Sequence, residues 1–156
     1  AEASEIAVMC KKYGATFIMN DSVDLAVACG ADGIHVGQDD APGQIGKKRA
    51  GQNVFVGVST NTTKELQGAL ADGADYVGFG PMFPTSSKSD ADEVVTEETV
   101  RSALEFPLPV VTIGGIGLEN IRTLYDRGFR SFAMISAVVS QKDIKKAVDD
   151  LRQALK

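Results

Sequence analysis

Tyr76-Val-Gly-Phe-Gly-Pro-Met-Phe-Pro-Thr-Ser-Ser-Lys88 runs an apolar strand directly into a loop carrying prolines, hydroxyls and a lysine. The prolines leave the loop few main-chain conformations to lose on folding, and Gly78 and Gly80 let another group approach the backbone closely. Thr85, Ser86, Ser87 and Lys88 then present three hydroxyls and a cation to something anionic. A merely polar strand-to-helix connection would share this composition. The loop is longer than most of its kind, however, and such loops tend to be functional or disordered; function is the reading favoured here.

Outward from this loop the same grammar repeats. Ala15–Met19, Gly33–Val36, Val54–Val58, Asp75–Phe79, Val110–Ile113 and Ser131–Ile135 are short β-branched or aromatic runs bounded by glycine or polar residues. Their near-continuous apolarity predicts strands of a parallel sheet covered on both faces. Helical patterns lie between them at Val23–Cys29, Thr63–Asp72, Thr96–Leu104, Leu118–Asp126 and Asp143–Leu155. Gly14, Gly30, Gly73 and Gly128 follow helical patterns, where a left-handed glycine stops a helix. Three of them open near-repeats, Gly30-Ala-Asp-Gly33, Gly73-Ala-Asp-Tyr76 and Gly128-Phe-Arg-Ser131. Each ends a helix and feeds a strand.

Alternating units of this kind give an α/β fold, either an open doubly wound sheet or a (β/α)8 barrel. The ends of the strands decide between them. Asn20-Asp21, Gln38-Asp39-Asp40, Ser59-Thr60, Thr85–Lys88, Gly114-Gly115 and Ser136 follow successive strands. Chemistry at every strand end, with no glycine fingerprint after the first strand, is the barrel distribution. A whole barrel needs eight strands and about 200 residues; six strands in 156 residues predict one domain over 1–156 with two βα units absent. Ala1 already falls within a helical pattern (Ile6, Val8, Met9, Tyr13), which reads as a piece of something longer.

Composition narrows the function. A net charge of −5 without a basic patch argues against nucleic acid, and an anionic substrate would need local help from a lysine, a helix N-terminus or a metal. No apolar run has the length of a membrane span and no signal peptide is visible. Cys10 and Cys29 sit in apolar helical patterns and read as buried thiols of a reducing compartment, so the expected location is the cytoplasm.

Taken in order, Phe17-Ile-Met-Asn-Asp21, Gly33-Ile-His-Val-Gly-Gln-Asp-Asp40, Gly57-Val-Ser59, Tyr76–Lys88, Ile113-Gly-Gly-Ile116 and Met134-Ile-Ser136 resemble the thiamine phosphate synthase family of (β/α)8 enzymes. The likeness covers the whole chain. What it lacks is the family's first two strands, including a Gln-x-Arg-x-Lys segment that helps hold the pyrimidine diphosphate. Family chemistry joins hydroxymethylpyrimidine diphosphate to a thiazole phosphate, often carboxylated, and releases pyrophosphate.

Several candidate residues have a plainer reading beside the functional one, as Lys88 does, since a loop lysine is more often solvated than functional. Asp21 and Asp40 follow neighbouring strands, where two carboxylates can converge on a hard cation such as Mg2+. Either could instead cap the helix that follows. The resemblance assigns the metal role to both. It also implies Lys88 and Ser59 in catalysis, with Asn20, Ser59 and Lys88 on the pyrimidine diphosphate. Ser59 could equally cap the helix beyond Asn61. Thr85-Ser86-Ser87 corresponds to a thiazole phosphate loop that is commonly Thr-Pro-Thr, so Ser86 gives up a proline and should loosen it. Gly114-Gly115, opening a helix with bare amides, and Ile135-Ser136 match the two halves of a phosphate cup, the loops where barrels often bind phosphate. His35, the only histidine, lies inside a strand and reads as structural and hydrogen-bonded. Met82 and Phe83 read as walls of the pocket mouth.

The expected reaction is Mg-assisted alkyl transfer without a protein nucleophile. Two rivals stand beside it. A thiazole tautomerase would need a histidine near the strand ending at Ser59, where none exists. A non-catalytic phosphate-ligand binder or incomplete fragment would expose sheet edges that invite self-association.

Overall fold

Short apolar runs become strands because glycines end the helices before them and their β-branched side chains suit a pleated, covered surface. The computed structural model describes residues 2–38, 54–85 and 93–156. The chain divides into two units, Ala1–Thr60 with Lys64–Val77, and Asn61–Thr63 with Gly78–Lys156.

The first unit carries α1 (Glu2–Tyr13), β1 (Ile18–Asn20), α2 (Val23–Cys29), β2 (Gly33–Val36), β3 (Phe55–Thr60), most of α3 (Thr63–Ala71) and the start of β4 (Tyr76–Phe79). Its strand order is β1-β2-β3-β4. β1 is parallel to β2 and β2 to β3, with His35 opposite Gly57. Ile34, Val36, Val56, Val58 and Val77 of the strands are buried, as are Val23 and Ala26 of α2 and Leu66 and Ala69 of α3. Each of the valine, leucine and isoleucine side chains contributes about 1.5–3 kcal/mol relative to leaving it in water.

The second unit holds the end of β4, α4 (Glu97–Leu104), β5 (Val110–Thr112), α5 (Ile121–Arg127), β6 (Ser131–Phe132), α6 (Ser136–Val139) and α7 (Ile144–Ala154). Its order is β4-β5-β6, with β5 and β6 parallel. Phe79 stacks on Phe129 at 6.3 Å, and Met82, Val100, Ala103, Ile116, Ile121, Leu124 and Leu151 are buried in the same unit.

The near-repeats have a common physical use. Gly30 and Gly73 take left-handed conformations, and the next residue, Ala31 or Ala74, donates its amide back to the helix and is buried. The aspartate then accepts from the main chain of the preceding strand segment, Asp32 from Phe17 and Asp75 from Val56, both at 2.8 Å. In the third copy Arg130 replaces the aspartate. It donates to the carbonyls of Tyr125 and Phe129 and lies 4.2 Å from the Tyr125 ring centre.

Several elements differ from their sequence expectation. β1 begins at Ile18 rather than Ala15, because Phe17 gives its amide to Asp32 and its carbonyl to the amides of Asp32 and Gly33. β6 ends at Phe132 rather than Ile135, since Ile135 turns into α6, which no sequence pattern announced. α5 starts at Ile121 rather than Leu118, because the Gly117 carbonyl first accepts from Asn120 and Ile121 in a tight turn. Cys10 and Cys29 are free and half-buried rather than buried. Among the described residues no helix is long and apolar enough to cross a membrane.

Candidate active site

Two sets of strand-end residues assemble, one in each unit. In the first, Asn20 closes β1 and Asp21 follows with φ +65, the only non-glycine positive φ among the described residues. Its amide donates to the His35 carbonyl at 2.8 Å, which ties the turn to β2. Asp21 does not cap α2. Ser22 does, its Oγ accepting from Leu25 N at 3.3 Å. The Asp21 carboxylate is therefore exposed and has no hydrogen-bond or ion-pair partner among the described residues. A strained backbone that presents an uncommitted carboxylate suits a ligand, and its hard oxygens suit Mg2+.

Ser59 lies one residue from the end of β3, half-buried. Its hydroxyl meets His35 Nε2 at 2.9 Å instead of capping the next helix, and its carbonyl accepts from Gln38 Nε2 at 2.6 Å. His35 is hydrogen-bonded as the sequence suggested, for its Nδ1 lies 3.0 Å from the Tyr76 hydroxyl. Burial pushes the Tyr76 phenol up to about 12. Neither Gln38 nor Tyr76 was among the expected site residues. Gln38 sits in the polar run after β2, whereas Tyr76 begins a strand and reads as core.

The second set gathers around β4 and β5. After Phe79 the Gly80–Pro81 peptide is cis. Met82 N and Phe83 N then donate to the carbonyls of Ile113 and Gly114 at 2.9 and 3.1 Å. A side chain at Gly115 would come within 2.7 Å of the Pro84 carbonyl and 2.8 Å of Phe83 Cβ, and one at Gly114 within 2.5 Å of Pro81 Cβ. The 81–84 and 113–115 backbones are thus in contact because glycine stands at both positions. Met82 is buried and Phe83 half-buried, so Met82 is a packing residue here.

Gly114 and Gly115 have φ +92 and +63 and do not open a helix directly. Their amides and that of Ile116 meet no acceptor among the described residues, which leaves donors for an anion. Asn120, absent from the sequence reading, holds this turn: its Nδ2 donates to the Gly115 carbonyl and its Oδ1 accepts from Gly117 N, both at 2.9 Å. Thr85 is half-buried, while Ile135 and Ser136 at the start of α6 are exposed. Asp40, Ser86, Ser87 and Lys88 lie outside the described residues.

Residues 1–138 match the family described as thiamine monophosphate synthase. The chain belongs to the thiamine monophosphate synthase family. Its likeness to the thiamine-phosphate synthase of Alkaliphilus oremlandii is 41% identity over 154 residues, 99% of this chain and 74% of that protein. Among solved structures, thiamine phosphate pyrophosphorylase from Pyrococcus furiosus superposes with a TM-score of 0.86 at 34% identity, covering 99% of this chain and 76% of that one. A 3-hexulose-6-phosphate synthase superposes with a TM-score of 0.74 at 19% identity, a likeness of fold alone. For a thiamine monophosphate synthase family member, the expected class follows: α/β of the (β/α)8-barrel type, with six parallel strands among the described residues.

Proposed function

We propose that this chain makes thiamine phosphate by transferring the hydroxymethylpyrimidine group from its diphosphate to a thiazole phosphate, releasing pyrophosphate, and CO2 when the thiazole is carboxylated. Membership of the thiamine monophosphate synthase family is the observation that carries this reading. The two residue sets divide the substrates between them. Asn20 and Ser59 of the first unit hydrogen-bond the pyrimidine diphosphate, and Asp21 with Asp40 would hold Mg2+. When bound, that ion supplies neutralisation of the charge that grows on the departing pyrophosphate. Lys88 adds a second positive charge there. In the second unit the amides around Gly115, with Thr85, Ser86, Ser87, Ile135 and Ser136, hold the thiazole phosphate. Its ring nitrogen then captures the pyrimidine methylene, and no protein nucleophile is needed. The free thiols at Cys10 and Cys29 support a reducing compartment, and we place the reaction in the cytoplasm.

The test is product formation. With both substrates and magnesium, thiamine phosphate and pyrophosphate should appear in equal amounts. Asp40→Ala should lower the rate by roughly 100-fold or more, on the scale of removing one charge-stabilising group. Binding of both substrates without any product would overturn the reading.

A further inference from the structure

Within the first unit, Tyr76 on β4 and His35 on β2 meet although β3 runs between them. Strands two places apart are separated by about 10 Å, and an intervening side chain normally fills that space. Here the intervening residue is Gly57, opposite His35 in the ladder. A Cβ at that position would overlap the Tyr76 ring. The phenol therefore lies directly over the β3 backbone and reaches His35 Nδ1 at 3.0 Å, while Nε2 reaches Ser59 Oγ at 2.9 Å.

We propose that Tyr76 is a positioning residue that acts through His35 to fix the direction of the Ser59 hydroxyl hydrogen, aiming it at the diphosphate of the pyrimidine substrate. The inference rests on the synthase reading for the identity of that anion. The Tyr76 hydroxyl has no other hydrogen-bond partner among the described residues, so its hydrogen is directed at Nδ1. A neutral imidazole that accepts at Nδ1 carries its proton on Nε2 and donates from there. Ser59 Oγ is then an acceptor toward His35, and its own O–H is left to donate to an anionic oxygen. In the opposite tautomer Ser59 would spend that hydrogen on His35. The Gln38 bond to the Ser59 carbonyl keeps the main chain in register while the hydroxyl is aimed.

His35 is the only histidine, so its ring nitrogens are the only imidazole signals in a 15N-detected NMR spectrum of the chain. At about pH 9, above the ordinary histidine range, the free protein should show a single Nε2-protonated tautomer. Tyr76→Phe and Gly57→Ala, the latter by displacing the ring, should each abolish that preference. An Nδ1-protonated ring, an even mixture, or a spectrum unchanged in Tyr76→Phe overturns the proposal. Kinetically, Tyr76→Phe should raise KM for the pyrimidine diphosphate about tenfold, the scale of one hydrogen bond to a charged group, and leave KM for thiazole phosphate unchanged. The same substitution in a Ser59→Ala background should add nothing further. Equal rises in both KM values, or full additivity, would reduce Tyr76 to a packing role. Absence of turnover in the wild type would overturn the synthase reading instead, and the tautomer spectrum would still decide this one.

Discussion

Asp21 occupies a left-handed backbone conformation that asparagine tolerates as well as aspartate. Asp21→Asn therefore removes the charge and keeps the turn. Its stability should stay within about 0.5 kcal/mol of wild type, while the magnesium concentration for half-maximal rate rises at least about tenfold; thermal unfolding beside a magnesium titration checks both. A large drop in Tm would make Asp21 a folding residue. Tyr76 gives a second measurement at this scale. The folded phenol holds its proton more tightly than the unfolded one, so its contribution to stability is complete below pH ~10 and declines as pH rises from ~10 to about 12. The phenolate absorbance difference between wild type and Tyr76→Phe should step near pH 12, and a step near 10 would mean a solvated ring. Of this cluster the sequence disclosed little. His35 and Tyr76 are distant in the chain, and the only local hint was a glycine inside a strand at position 57, which marks a close approach.

Among the elements, those with signals at both ends were legible. β2 and α2 have the bounds expected of them because Gly33 starts one, and Ser22 and Gly30 close the other. β6 and α6 were not. Ser136-Ala-Val-Val139 is too short and too β-branched to carry a helical period, and no side chain caps its start. The strand-end distribution that suggested a barrel was readable from residue types alone, whereas Asn120 needed the turn geometry that it closes. The aspartate clips were legible as repeats but not as bonds. Asp75→Ala removes a charge-assisted bond to Val56 N and should cost about 1.5–3 kcal/mol. A urea titration with a lower midpoint and an unchanged slope would show it; an unshifted midpoint would contradict the clip.

At the scale of the whole molecule, a net charge of −5 opposes the approach of two phosphorylated substrates. Screening shortens that repulsion, since the Debye length falls from about 30 Å at 0.01 M salt to about 8 Å at 0.15 M. KM for both substrates should therefore fall over this range with kcat steady, as steady-state kinetics would report. A rising KM would mean that the local cations and amides outweigh the global field. Charge of this kind is plain from composition, while the division into two units emerges only from contacts. Within the second unit, the seating of Pro81, Phe83 and Pro84 on Gly114 and Gly115 has a thermodynamic corollary. Since those backbones already touch, a thiazole phosphate docking there as proposed would find this part of its socket formed in advance, and little freedom of these segments would be surrendered. A methyl group at position 115 would wedge the socket apart, converting a lock into a hinge that each ligand must close afresh.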